Sequence, residues 1–126
     1  MSIFTGTLSV VAGDDLDVTR TVTNVPTGQT LSKAWLTLKS KLTDADPGLL
    51  QKVIVPGAVG GQGQITDTGV SGTGSLLFQL TGGNTLALPI GIDVKYDIKV
   101  LTSAGKIYTV EQGIYLSASR VTAATS

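Results

Sequence analysis

The chain has 126 residues, the length of one domain, and 41% of them are apolar, enough for a core of ordinary size. Only 14% are charged, about half the usual share, and nine basic residues balance nine acidic ones, which excludes a strong chain-wide field for nucleic acid or an anionic membrane. Cysteine and histidine are both absent, which excludes disulfides, thiolate or imidazole metal sites, and catalysis by a Cys or His base or nucleophile.

The opening residues Met1–Gly6 carry no basic region followed by an apolar stretch, so a signal peptide is not expected. No apolar run approaches the roughly 18 residues of a membrane span. Glycine, Thr, Val and Ile are abundant and Glu occurs once, at Glu111, a composition that favours strands over helices.

In chain order, a first strand is expected near Thr5–Val11, closed by the turn residues Ala12–Asp15. Leu16–Asn24 alternates: Leu16, Val18 and Val22 share one face, interrupted by Arg20, while Asp17, Thr19, Thr21 and Thr23 share the other. Ala34–Lys41 reads as a central strand, with Ala34, Leu36 and Leu38 on one face and Trp35, Thr37 and Lys39 on the other. The size of Trp35 favours the core; its neighbour Lys39 argues the other way. After the turn around Asp46-Pro47-Gly48, Leu49–Val55 ends as a strand.

Seven of the eighteen residues in Gly57–Gly74 are glycine, which reads as a long loop, interrupted at most by a short strand at Gln64–Asp67. Ser75–Thr81 is a strand, Gly82-Gly83-Asn84 a turn, and Thr85–Leu88 a short piece before Pro89. Ile92–Leu101 alternates with Ile92, Val94, Tyr96, Ile98 and Val100 on one side and Asp93, Lys95, Asp97 and Lys99 on the other. Ser103–Gly105 turns into Lys106–Leu116, where Glu111 falls with Ile107 and Thr109, opposite Val110, and Gly113 marks a bulge or a change of sheet. The Tyr96 hydroxyl is expected to bond the backbone near a corner. Short strands at this spacing predict one all-β domain over 1–126, an immunoglobulin-like two-sheet antiparallel β-sandwich, with a closed barrel as the alternative. The segment 118–126 reads as a flexible tail.

The order of cues resembles a known family. Gly13-Asp14-Asp15 precedes a strand, and the Trp-containing strand runs into Leu42-Thr-Asp-Ala-Asp-Pro47. Leu88-Pro-x-Gly91 precedes Val94-x-Tyr-Asp-Ile-x-Val100, and Gly113-x-Tyr-Leu116 is followed by Arg120-Val-Thr122. This resembles the immunoglobulin-like domain of tailed-phage virion proteins, as at the N-terminus of upper baseplate and receptor-binding-protein adaptors. The adaptors continue into fibre or coiled segments where this chain stops.

The resemblance implies a bacteriophage virion structural protein, assembled in the host cytoplasm. A capsid decoration or cement protein on the head shell is favoured over a tail, baseplate or fibre adaptor, and a carbohydrate-binding module is the more distant alternative. Expected partners are the major capsid protein or tail and baseplate proteins, with no nucleic acid and no membrane. Low charge points to a homo-oligomer, a trimer being favoured. The glycine-dense loop and the two termini are expected to make the contacts, with Ile3, Ile65 and Val70 as apolar anchors. Deleting Gly60–Gly72 is then expected to leave the sandwich folded.

No catalytic residue, cofactor or metal ligand is expected. The acidic clusters Asp14, Asp15, Asp17 and Asp44, Asp46 read as solvated turns lacking a calcium-loop pattern. Ser32-Lys33 and Ser40-Lys41 would point to opposite faces of a strand, and Lys106 would sit exposed and charged beside Ser103. The glycines of Gly60–Gly63 lack the Lys-Ser/Thr of a phosphate loop.

Overall fold

Period-two alternation becomes strand throughout most of the chain. The computed structural model describes residues 4–41, 44–46 and 48–119. In order these form β1 (Phe4–Val11), β2 (Leu16–Val22), β3 (Leu31–Lys39), β4 (Leu50–Ile54), β5 (Gly63–Asp67), β6 (Gly74–Leu80), the single-turn α1 (Gly82–Ala87), β7 (Val94–Thr102) and β8 (Ile107–Ala118).

They build a five-stranded sheet in the order β1-β8-β7-β3-β4 and a three-stranded sheet in the order β2-β6-β5. The smaller sheet is antiparallel. The larger one is mixed, because β1 runs parallel to β8, from Phe4 beside Glu111 to Val11 beside Ala118. This corrects the wholly antiparallel expectation. Two strands from opposite ends of the chain share no hairpin, so no tight turn dictates their direction.

One core fills the space between the sheets. Val18 and Val22 of β2 and Leu76, Phe78 and Leu80 of β6 meet Ala34, Leu36 and Leu38 of β3 and Val94, Tyr96, Ile98 and Val100 of β7. Each is buried because alternation delivers it to the inner face. A side chain such as Phe78 or Ile98 contributes roughly 1.5–3 kcal/mol by leaving water.

The short strand expected at Gln64–Asp67 is β5, and the rest of the glycine-dense span is turns and irregular backbone. Ile65 of β5 is 2% exposed, within the core. The residues before β5 fold along the side of the sandwich between β4 and β5. There the Ile65 amide donates to the Val55 carbonyl (2.8 Å) and the Gln79 amide to the Gln62 carbonyl (2.9 Å). The Gln62 side-chain oxygen accepts from the Val53 amide (3.1 Å), and the buried Lys52 ammonium donates to the Gly61 carbonyl (2.6 Å). Gly63 has φ 127°, and a Cβ there would collide with the Leu77 carbonyl, so glycine is required by contact as well as by dihedral.

Gly82–Ala87 is a helical turn where the sequence suggested only a β-turn. Thr81 caps it by accepting from the Asn84 amide (3.3 Å), while the Asn84 side chain accepts from the Thr81 amide (2.9 Å). Buried Thr85 locks α1 under the β1–β2 turn, donating to the Asp14 carbonyl (2.6 Å) and accepting from the Gly13 amide (3.1 Å). Asp15 of the acidic cluster accepts from the Gly82 amide (2.6 Å).

In β8 the bulge lies before Gly113, not at it. Ile98 pairs with Glu111 and Lys99 with Thr109, so Val110 is the extra residue. The register slip turns both Val110 and Glu111 inward, which overturns their expected opposite facing. Gly113 instead pairs with Tyr96 on one side and Gly6 on the other. The two glycines form a lane for the Tyr96 ring, whose hydroxyl lies 2.6 Å from where a Gly6 Cβ would be.

Candidate functional site

Because Ala34, Leu36 and Leu38 face the core, Trp35, Thr37 and Lys39 must face outward from the five-stranded sheet. Trp35 is accordingly half-buried on the outer face, which corrects its expected core position: alternation outweighed side-chain size. It lies between Val53 of β4 and Lys99 of β7; Thr37 lies between Gln51 and Asp97; Lys39 is opposite Lys95. These rows form a groove of about 520 Å³ lined by Trp35, Thr37, Lys39, Asp46, Gln51, Asp97, Lys99 and Ile107.

The groove's polar groups are tied to one another. Gln51 donates to the Thr37 hydroxyl (3.0 Å), Lys99 donates to the Thr109 hydroxyl (3.0 Å), and Lys39 pairs with Asp46 (2.7 Å). The Lys33 ammonium stands 5.8 Å from the Trp35 ring centroid, within cation–π range. Burial raises the Asp97 carboxyl above its usual range, against the pull of Lys99 and Lys39. This arrangement offers an aromatic surface beside a carboxylate, an amide, a hydroxyl and ammonium groups.

A second polar group is internal. Arg20, the residue that interrupts the apolar face of β2, donates from Nε to Glu111 (2.6 Å), and the Tyr96 hydroxyl donates to the other Glu111 oxygen. The Tyr96 hydroxyl therefore bonds a carboxylate, not the backbone partner expected. The Glu111 hydrogen bond holds the Arg20 guanidinium above its ordinary value despite its partial burial. Burial, reinforced by the Glu111 carboxylate, pushes the Tyr96 hydroxyl up to about 12. Arg20 belongs to the small sheet and Glu111 to the large one, so the pair ties the sheets together along the β2 side.

The three anchors read from sequence are not gathered into one surface. Ile3 lies outside the described residues. Ile65 is in the core and has no surface to offer a partner. Val70 is 82% exposed at the tip of the β5–β6 turn, where the Gly72 amide donates to the Gly69 carbonyl (2.9 Å). Of the segment 118–126, Ala118 belongs to β8, and residues 120–126 lie outside the described residues.

Five exposed aliphatics lie on segments that reach the end of the sandwich where β1 and β8 finish. Val11, Leu86, Ile90, Ile92 and Leu116 are all exposed. Leu116 pairs with the neighbour of Val10, Ser9, and the Gly91 amide donates to the Ser117 carbonyl (3.1 Å), which brings the β6–β7 connection to this end. These residues come from three distant stretches of chain, so spacing could not collect them. The groove is equally dispersed, although the run Lys33, Trp35, Thr37, Lys39 carried a signal: a tryptophan on a polar face. No family model and no curated protein matches the sequence.

Proposed function

We propose that this chain is an immunoglobulin-like structural module of a tailed-phage virion, docking on the head shell as a decoration protein. The strand order supports the immunoglobulin-like type: the first strand runs parallel to the last, beside three further antiparallel strands, over a separate three-stranded sheet. Tyr96-Asp97-Ile98, central to the resemblance, lies on β7 in the middle of the larger sheet. The module differs from antibody-type domains in two ways. An Arg–Glu pair links its sheets in place of a disulfide, and its tryptophan faces outward.

The observation that carries docking is the exposed apolar end formed by Val11, Leu86, Ile90, Ile92 and Leu116. Clustered exposed aliphatics mark protein contact surfaces, because covering them removes apolar area from water. Repetition of identical sites on a shell converts a modest contact per copy into firm attachment, and a trimer would present three such ends together.

The test is co-sedimentation of the purified protein with tail-free heads and with isolated tails of the phage that encodes it. Binding to heads, lost in Leu86→Asp/Ile92→Asp with unchanged melting temperature, is the expected result. Binding to tails alone would move the module to the adaptor role. Binding to neither would overturn the virion reading.

A further inference from the structure

We propose that the outer-face groove of the five-stranded sheet is a saccharide-binding site, with Trp35 as the stacking platform and acidic sugars preferred. A sugar ring presents an apolar C–H face and a rim of hydroxyls. Recognition needs a flat aromatic surface beside side chains that both donate and accept. The groove supplies that set: Trp35 on β3, the Thr37 hydroxyl, the Gln51 amide and the Asp97 carboxylate. Its volume of about 520 Å³ falls in the usual range for small-ligand sites, about 300–1,000 Å³.

Two further observations point to a ligand. Trp35 has been left half in water on a sheet whose other face is a packed core, although it is the chain's one tryptophan. Asp97 lies in the row of Thr37, near two lysines that bond elsewhere, Lys39 to Asp46 and Lys99 to Thr109. Burial already makes that carboxylate costly to keep charged, and sugar hydroxyls donating to it would relieve the cost.

The charge around the groove selects among sugars. Among the lining residues Lys39 and Lys99 balance Asp46 and Asp97, and Lys33 over the Trp35 ring adds a further positive charge at the groove's margin. The surplus is positive, which fits a uronic acid whose carboxylate reaches one lysine while its ring stacks and its hydroxyls meet Asp97. A nucleic-acid strand fits less well, because Asp97 stands in the middle of the row where phosphates would pass.

As Trp35 is the chain's one tryptophan, fluorescence under tryptophan-selective excitation, which leaves the three tyrosines dark, reads this groove. Titrating the isolated protein with short oligogalacturonates should give a saturable change in emission, with cello-oligosaccharides binding about tenfold more weakly. Calorimetry should show binding lost in Trp35→Ala, retained but weakened in Trp35→Phe, and reduced by about tenfold in Asp97→Asn, with melting temperatures near wild type. Lys33→Gln/Lys99→Gln should erase the preference for the acidic sugar while keeping the neutral one. No saturable response to either sugar would overturn the proposal, as would undiminished binding by Asp97→Asn and Trp35→Phe together. So would equal affinity for polyglutamate or oligothymidylate, which would mark the face as a general polyanion surface. These measurements use the free protein and a surface other than the apolar end, so their failure and that of shell docking are separately visible.

Discussion

Glu111 holds two donors at once: the Arg20 guanidinium from the opposite sheet and the Tyr96 hydroxyl from the neighbouring strand. Replacing it with Ala would strand the Tyr96 hydroxyl in the core and leave Arg20 without its carboxylate. A loss of about 2–4 kcal/mol is expected, the lower part of the range for a broken buried pair, because Arg20 keeps some contact with water. Glu111→Gln should lose less, since the amide oxygen still accepts one bond. Urea unfolding of both variants checks the order. The same trio predicts alkaline behaviour. Tyr96 holds its proton up to about 12 when folded, against an ordinary value of 10.0. Its contribution is complete below pH 10 and is lost as pH rises toward 12, because only the unfolded chain releases the proton there. The shift corresponds to about 3 kcal/mol. Tyr115, raised by burial, acts in the same direction. Lys52, lowered by burial, acts in the opposite one, since losing its proton relieves the folded state first. Melting temperatures from pH 9 to 12 should fall, and fall less steeply in Tyr96→Phe.

At the scale of elements, the glycine-dense stretch behaves as structure. Removing Gly60–Gly72 takes out β5 with Ile65 and the Gly61 carbonyl that receives Lys52. The expected outcome is an unfolded or molten chain, seen as loss of amide dispersion in NMR spectra, in place of the intact sandwich anticipated from glycine content. Where local pattern and tertiary demand coincide, strands were legible: β2, β3, β6 and β7 each show their inner and outer faces as plain alternation. The α1 turn was not, because Gly82-Gly83 reads as a breaker and the Thr85 bonds that hold it come from the β1–β2 turn, about 70 residues away in the chain. Face assignment failed in β8 because one inserted residue, Val110, inverts everything on one side of it. Of the candidate sites, Arg20 on an apolar face and Trp35 on a polar one were visible as anomalies. Their partners Glu111, Gln51 and Asp97 were not, since pairing between distant strands leaves no trace in spacing.

For the whole molecule, the sandwich is fastened along both open sides by different means: the Arg20–Glu111 pair by β2, and the Lys52–Gly61 contact with its neighbouring amide bonds by β5. The outer face of the large sheet and the end where β1 and β8 finish are separate parts of this sandwich's surface. The parallel alignment of β1 with β8 has a consequence for how the sandwich can be strung. The described chain enters at Phe4, beside Glu111 part-way along β8, and leaves at the end of β8, where Ala118 lies beside Val11. At roughly 3.3 Å per residue these two points stand about 23 Å apart along the sheet. Copies linked head to tail would therefore extend like beads on a thread and not fold back as a hairpin of domains.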